Sequence, residues 1–249
     1  MHVDDFHALR TGAVTQPDGS PALLTVHDLG LLNVESGRLG ACDPFVQLDA
    51  PLVTGIEPGT YPVRVTVADV SDEQDGSHLR EAFLSVVLAE GTPVRVDPAE
   101  SETDGPPPAG EWFGVGVDAG TVAFVDVDAI GPGMPEDPRS WYHEVFDSGR
   151  EDSWFNQMDA DQPWPPGTAN VLLPRAANGE NLVLSHSGWG DGFYPVVVTR
   201  AADGGILGVH IDLLVVGPDE EDAAAETAPD PDSEPAQARP GLWGRLFRR

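Results

Sequence analysis

"YPVVVTRAADGGILGVHIDLLVV", residues 194–216, decides the fold class. Two runs rich in β-branched residues flank a polar break that ends in Asp203, Gly204 and Gly205. Glycine adopts the positive φ that tight turns demand, so the stretch reads as two antiparallel strands joined as a hairpin. A surface helix would space its apolar residues three or four positions apart, and these runs are continuous or alternate instead.

The same pattern recurs upstream. "ALLTVHDLG" (22–30), "YPVRVTVADV" (61–70), "EAFLSVVLAE" (81–90), "PVRVDP" (93–98), "WFGVGVDAG" (112–120), "TVAFVDVDAI" (121–130), "ANVLLP" (169–174) and "NLVLSHS" (181–187) are apolar runs bounded by Gly, Pro and Asp. With the opening pair they make about ten strands. The runs at 61–70 and 81–90, joined by a polar stretch, predict a second hairpin, and Asp118 to Thr121 predicts the turn of a third. Helical spacing is confined to "PEDPRSWYHEVFDSG" (135–149), through Trp141, Val145 and Phe146, and to a turn or two in "EDSWFNQM" (151–158). The expected fold is mainly β, an antiparallel sandwich or partly open barrel with one or two short helices.

Patterning stops after Gly217. Residues 218–240 are dominated by Asp, Glu, Ala and Pro and read as an acidic linker that cannot bury enough apolar surface to fold. "GLWGRLFRR" (241–249) is a short basic-aromatic tip, expected to dock a partner, fold back or touch a membrane surface. Residues 1–217 are then one β-rich globular domain.

The chain carries 42 acidic residues against 13 basic ones, all arginine, for a formal charge of -29. Residues 1–217 alone hold 34 acids and nine arginines, so the acidity belongs to the body and not to the tail. Such a field repels nucleic-acid backbones and favours a basic protein partner. The absence of lysine beside abundant Ala, Gly and Pro suggests a GC-rich bacterial source. No apolar run approaches the roughly 20 residues of a transmembrane helix, and the N-terminus lacks the pattern of a secretory signal, so a cytoplasmic protein is expected. The single cysteine, Cys42, reads as a small buried hydrophobe.

Three motifs follow one another in order: "SGRLGACDP" (36–44), "GVDAGTVAFVD" (116–126) and "SGWGDGFYPV" (187–196), with the "IDLLVV" strand after them. Together they resemble the bacterial family known as domain of unknown function 4241, over Leu31 to Val216. The resemblance supports the domain boundary and implies no activity.

Two readings compete for the glycine-rich motif. Gly188, Gly190 and Gly192 serve a tight loop capped by Trp189, Phe193 and Tyr194; or Ser187, Gly188, Trp189, Gly190, Asp191 and Gly192 form a ligand-binding loop whose amides converge on a bound group. The Asp-Ala-Gly-Thr stretch at 118–121 also resembles the phosphate hairpin of actin-like kinases, but too little chain follows it for that fold. The acid pairs Asp126 with Asp128 and Asp159 with Asp161 lack the glycine and terminal glutamate of a calcium loop. No histidine pair has metal-ligand spacing.

Two functions follow. The first is a non-enzymatic binding module with an acidic surface. The alternative is a metal-dependent hydrolase in which Asp43, Asp118, Asp126 and Asp191 gather around a divalent metal, with His186 as acid or base. No other cofactor is evident, and the metal reading requires those four carboxylates to meet.

Overall fold

The computed structural model describes residues 2–160 and 163–217. The linker and tip, together with Asp161 of the second acid pair, lie outside the described residues. Among the described residues there are thirteen strands: β1 (Gly12–Thr15), β2 (Pro21–Val34), β3 (Arg38–Cys42), β4 (Leu52–Gly55), β5 (Gly59–Asp69), β6 (Leu79–Val87), β7 (Arg95–Pro98), β8 (Gly114–Val117), β9 (Thr121–Asp126), β10 (Thr168–Leu172), β11 (Asn181–His186), β12 (Gly192–Arg200) and β13 (Ile206–Asp212). Two short α-helices, α1 (Val127–Gly133) and α2 (Trp154–Met158), follow β9 and precede β10.

The strands form two antiparallel sheets. The larger runs β1-β2-β5-β6-β13-β12-β7, with β8 also paired to β12, and the smaller runs β10-β11-β9-β3-β4. This is a sandwich and not a closed barrel. Both main hairpins form as expected, β12 with β13 and β5 with β6.

The continuous apolar runs follow from burial on both faces. In β9, Val122 and Phe124 face the core between the sheets, while Ala123 and Val125 face a second core. That second core is closed by Ile130, Met134, Trp141, Phe146, Trp154 and Met158 from the helical segments. Successive side chains on a strand point to opposite faces, so a strand packed on both sides loses its polar alternation. The outer face of the large sheet is covered in turn by Phe6, whose ring stands 5.1 Å from Phe83 and 5.2 Å from His210.

Three expectations need correction. The stretch 135–149 is not one α-helix but a 3-10 turn (Pro138–Ser140) followed by a π-helical turn (Tyr142–Phe146). The strand expected to reach Ile130 ends at Asp126, whose side chain accepts a hydrogen bond from the Asp128 amide and starts α1. The third hairpin does not exist: β8 pairs with β12 in the large sheet, whereas β9 pairs with β3 and β11 in the small one. Asp118 to Gly120 is a crossover between sheets.

The sheets are also joined by asparagines. A bulge in β2 turns the Leu29 and Leu31 carbonyls out of the ladder, and the amide groups of Asn170 and Asn181 in the small sheet donate to them. These backbone acceptors are thereby satisfied from the other sheet.

Candidate functional site

Strand directions collect several of the candidate residues at one end of the sandwich. β3 and β11 finish there, at Cys42 and His186, while β6, β9 and β12 begin there, at Leu79, Thr121 and Gly192. Asp43, Asp118, His186 and the glycine-rich loop therefore share this end.

Asp43 is fully buried and its carboxylate is occupied. Oδ2 accepts from the amides of Asp118 at 3.0 Å and Ala119 at 2.8 Å. Oδ1 accepts from the Thr121 hydroxyl at 2.9 Å and the Phe45 amide at 3.2 Å. Four donors on one carboxylate hold the crossover in place. Asp118 and Asp191 extend beyond the last β8–β12 pair, Val117 with Gly192, and both side chains are exposed.

Asp126 stands at the far end of β9. At about 3.3 Å of rise per residue, five steps of strand separate it from Thr121 by roughly 16 Å. Its carboxylate accepts from the amide and hydroxyl of Ser36 as well as from Asp128. The four acids of the metal-centre alternative do not converge, because one lies at the opposite end of the sandwich. Among the described residues no group of three or more His, Cys, Asp or Glu could hold a metal ion.

These contacts explain the three ordered motifs. Ser36 of the first bonds Asp126 of the second, and Asp43 of the first bonds Thr121 of the second. The Ser187 amide of the third donates to Gly120 of the second at 3.0 Å. The motifs are one hydrogen-bonded frame that ties sheet to sheet.

The glycine-rich loop has an internal scaffold. Ser187 Oγ donates to the Gly190 carbonyl at 2.6 Å and Tyr194 Oη donates to the same oxygen at 2.9 Å. Gly188 and Gly190 have φ of +70° and +91°. A Cβ on Gly188 would lie 2.6 Å from the Glu81 carbonyl oxygen and 2.7 Å from Val215 Cγ2, so the glycine is needed for close approach as well. Built this way, the loop presents Trp189 and Phe193, 52% and 49% exposed.

Three residues here escaped the sequence reading. The Arg80 guanidinium lies over the Trp189 ring, 5.3 Å from its centroid, and the His78 ring meets the same indole edge-on at 6.0 Å. Glu81 turns the other way. It pairs with the core residue Val67 because a bulge at Ala82 shifts the β5–β6 register, and it approaches His186 of the small sheet. Gly167 makes room between them: a Cβ there would sit 2.5 Å from His186 Nδ1 and 3.2 Å from Glu81 Oε1. Burial pushes the Glu81 carboxyl above its ordinary range, against the pull of its own amide and the nearby His186 and Arg80. Simple alternation back from Leu84 and Val86 puts Glu81 on the outside, so its inward position had no local signal.

The family model described as protein of unknown function (DUF4241) matches residues 32–211. The chain belongs to the DUF4241 family. The match runs from β2 to β13 and contains the whole frame of three motifs. Comparisons with curated proteins and with solved structures find no match.

Among the described residues of this DUF4241 chain no helix is long and apolar enough to cross a membrane. Cys42 is buried, and burial pushes its thiol up, away from the reactive thiolate.

Proposed function

We propose that this domain is a non-enzymatic binding module that meets a basic protein partner at the glycine-rich end. One observation carries the reading: a loop braced by Ser187 and Tyr194 holds two large aromatic side chains in solvent, beside the exposed carboxylates of Asp118 and Asp191. Exposed aromatics on a rigid base are the usual anchors of protein interfaces, and surrounding charge steers the approach. The field is uncompensated, since seven of the nine body arginines already pair with carboxylates of the same chain. The setting that fits this composition is a bacterial cytoplasm.

Among the described residues the hydrolase alternative has less support, since Asp126 is remote and both Asp43 and Asp126 accept internal donors.

Calorimetric titration of the full chain with an arginine-rich peptide containing one aromatic residue tests the proposal. Binding should weaken steeply with salt and fall at least about tenfold in the Trp189→Ala, Phe193→Ala double variant. Unchanged affinity in that variant, or no binding at low salt, overturns it.

A further inference from the structure

Arg80 is out of place in so acidic a body. Of the nine arginines in residues 1–217, seven stand 4.0 Å or less from a carboxylate, and Arg10 is bonded to the carbonyls of Val3 and Asp4. Among the described residues Arg80 has no carboxylate within 4.0 Å, and Glu81 feels it only as a weak pull. Its Nη1 donates to its neighbour's Leu79 carbonyl at 3.1 Å, and its Nε is buried without a hydrogen-bond partner. The guanidinium lies over the Trp189 ring, with the His78 ring edge-on to the same indole.

Three acids near it in the chain are turned away or hydrogen-bonded elsewhere. Glu81, next in the chain, lies on the core side of the sheet, opposite Val67. Asp69 accepts from the Ser71 amide and hydroxyl and the Gly76 amide, and Asp75 accepts from the Ser77 amide. Among the described residues the fold thus keeps one arginine over Trp189, with no carboxylate within 4.0 Å, at the rim of the glycine-rich loop.

We propose that Arg80, stacked on Trp189 with His78 beside it, is a binding site for the carboxylate of a small planar ligand. A guanidinium offers pairs of N–H donors in the fork that a carboxylate matches, and stacking removes the entropy otherwise lost in orienting it. The exposed part of the indole supplies a flat apolar surface for the ligand's ring. The negative body repels multiply charged anions, so the site selects a single charge. Its ligand is an anion, so this inference is separate from the basic-partner reading, although both use Trp189.

NMR titration of the full chain with sodium benzoate, against benzamide as the neutral isostere at equal ionic strength, tests it. Benzoate should saturably shift the Trp189 indole N–H and the Arg80 side-chain signals, and benzamide should not. Arg80→Gln should weaken benzoate at least about tenfold, and Arg80→Lys several-fold, since it keeps the charge and loses the fork. An equal response to both probes assigns the effect to ring stacking and overturns the proposal. So does no saturable response, or a benzoate response that survives in either Arg80 variant unchanged.

Discussion

Thr121 Oγ1 donates to Asp43 Oδ1 at 2.9 Å, with both residues buried and 78 positions apart in the chain. This bond and the amides of Asp118 and Ala119 on the second oxygen fasten the end of β3 to the crossover that carries the chain from one sheet to the other. The ladder cannot supply that link, because β8 and β9 belong to different sheets.

Replacing Asp43 with Ala leaves three part-buried amides and one buried hydroxyl without their acceptor. Each unsatisfied buried donor costs on the order of 1–3 kcal/mol, so we expect a loss of about 4 kcal/mol or more, or failure to fold. Thr121→Val removes one donor and should cost about 1 to 2 kcal/mol. Urea unfolding of both variants checks the ranking; equal losses would contradict it.

The glycines of the loop are unequal. Gly188→Ala drives a methyl into the Glu81 carbonyl and Val215, whereas Gly190 opens on space at its own positive φ. We expect Gly188→Ala to cost about 2 kcal/mol or more and Gly190→Ala about 1 kcal/mol. Thermal melting decides between them, and a milder Gly188 variant would show that the loop is not packed as described.

Asp212 is buried, and desolvation raises its carboxyl from the ordinary 3.8 to about 7, opposed by the Leu214 amide. The folded state holds this proton where the unfolded chain releases it. Its contribution is therefore fully present below pH 4 and disappears as the pH rises towards 7. Asp212→Asn keeps the acceptor for Leu214 and removes the titration. It should be more stable than the parent at pH 8 by an amount on the order of a few kcal/mol, with the advantage gone near pH 4. Equal pH profiles of unfolding free energy would refute this.

His210 titrates in the opposite sense. Burial between the hydroxyls of Ser85 and Thr199 lowers it from 6.5 to about 3, so the folded chain keeps it neutral. That stability is intact above pH 6.5 and is lost as the pH falls from there towards 3. His210→Gln should shed part of the acid sensitivity between pH 6 and 4, at some loss of stability at pH 7, as followed by circular dichroism.

Much of the architecture could be read locally. The β12–β13 hairpin was legible because Asp203, Gly204 and Gly205 punctuate two β-branched runs, and the short turn of α2 was expected within residues 151–158. β3 and β4 were not, since each is short and carries a glycine. α1 contains Pro132 and two glycines and starts only because Asp126 caps it. Glu81 escaped because a bulge reverses the side that alternation assigns to it, and Arg80 because nothing nearby in the chain foretells its seat on Trp189.

The sequence by itself determined a mainly β fold and three motifs that belong together. Apolar periodicity and turn chemistry act over a few residues and are written in the chain. Only the tertiary structure decided which ends of which strands meet. Strand order and direction set contacts between residues as distant as Asp43 and Thr121 or Ser36 and Asp126, and they carry Asp43 and Asp126 to opposite ends of the sandwich. Side-chain identity names the groups available, and sheet topology settles which of them become neighbours.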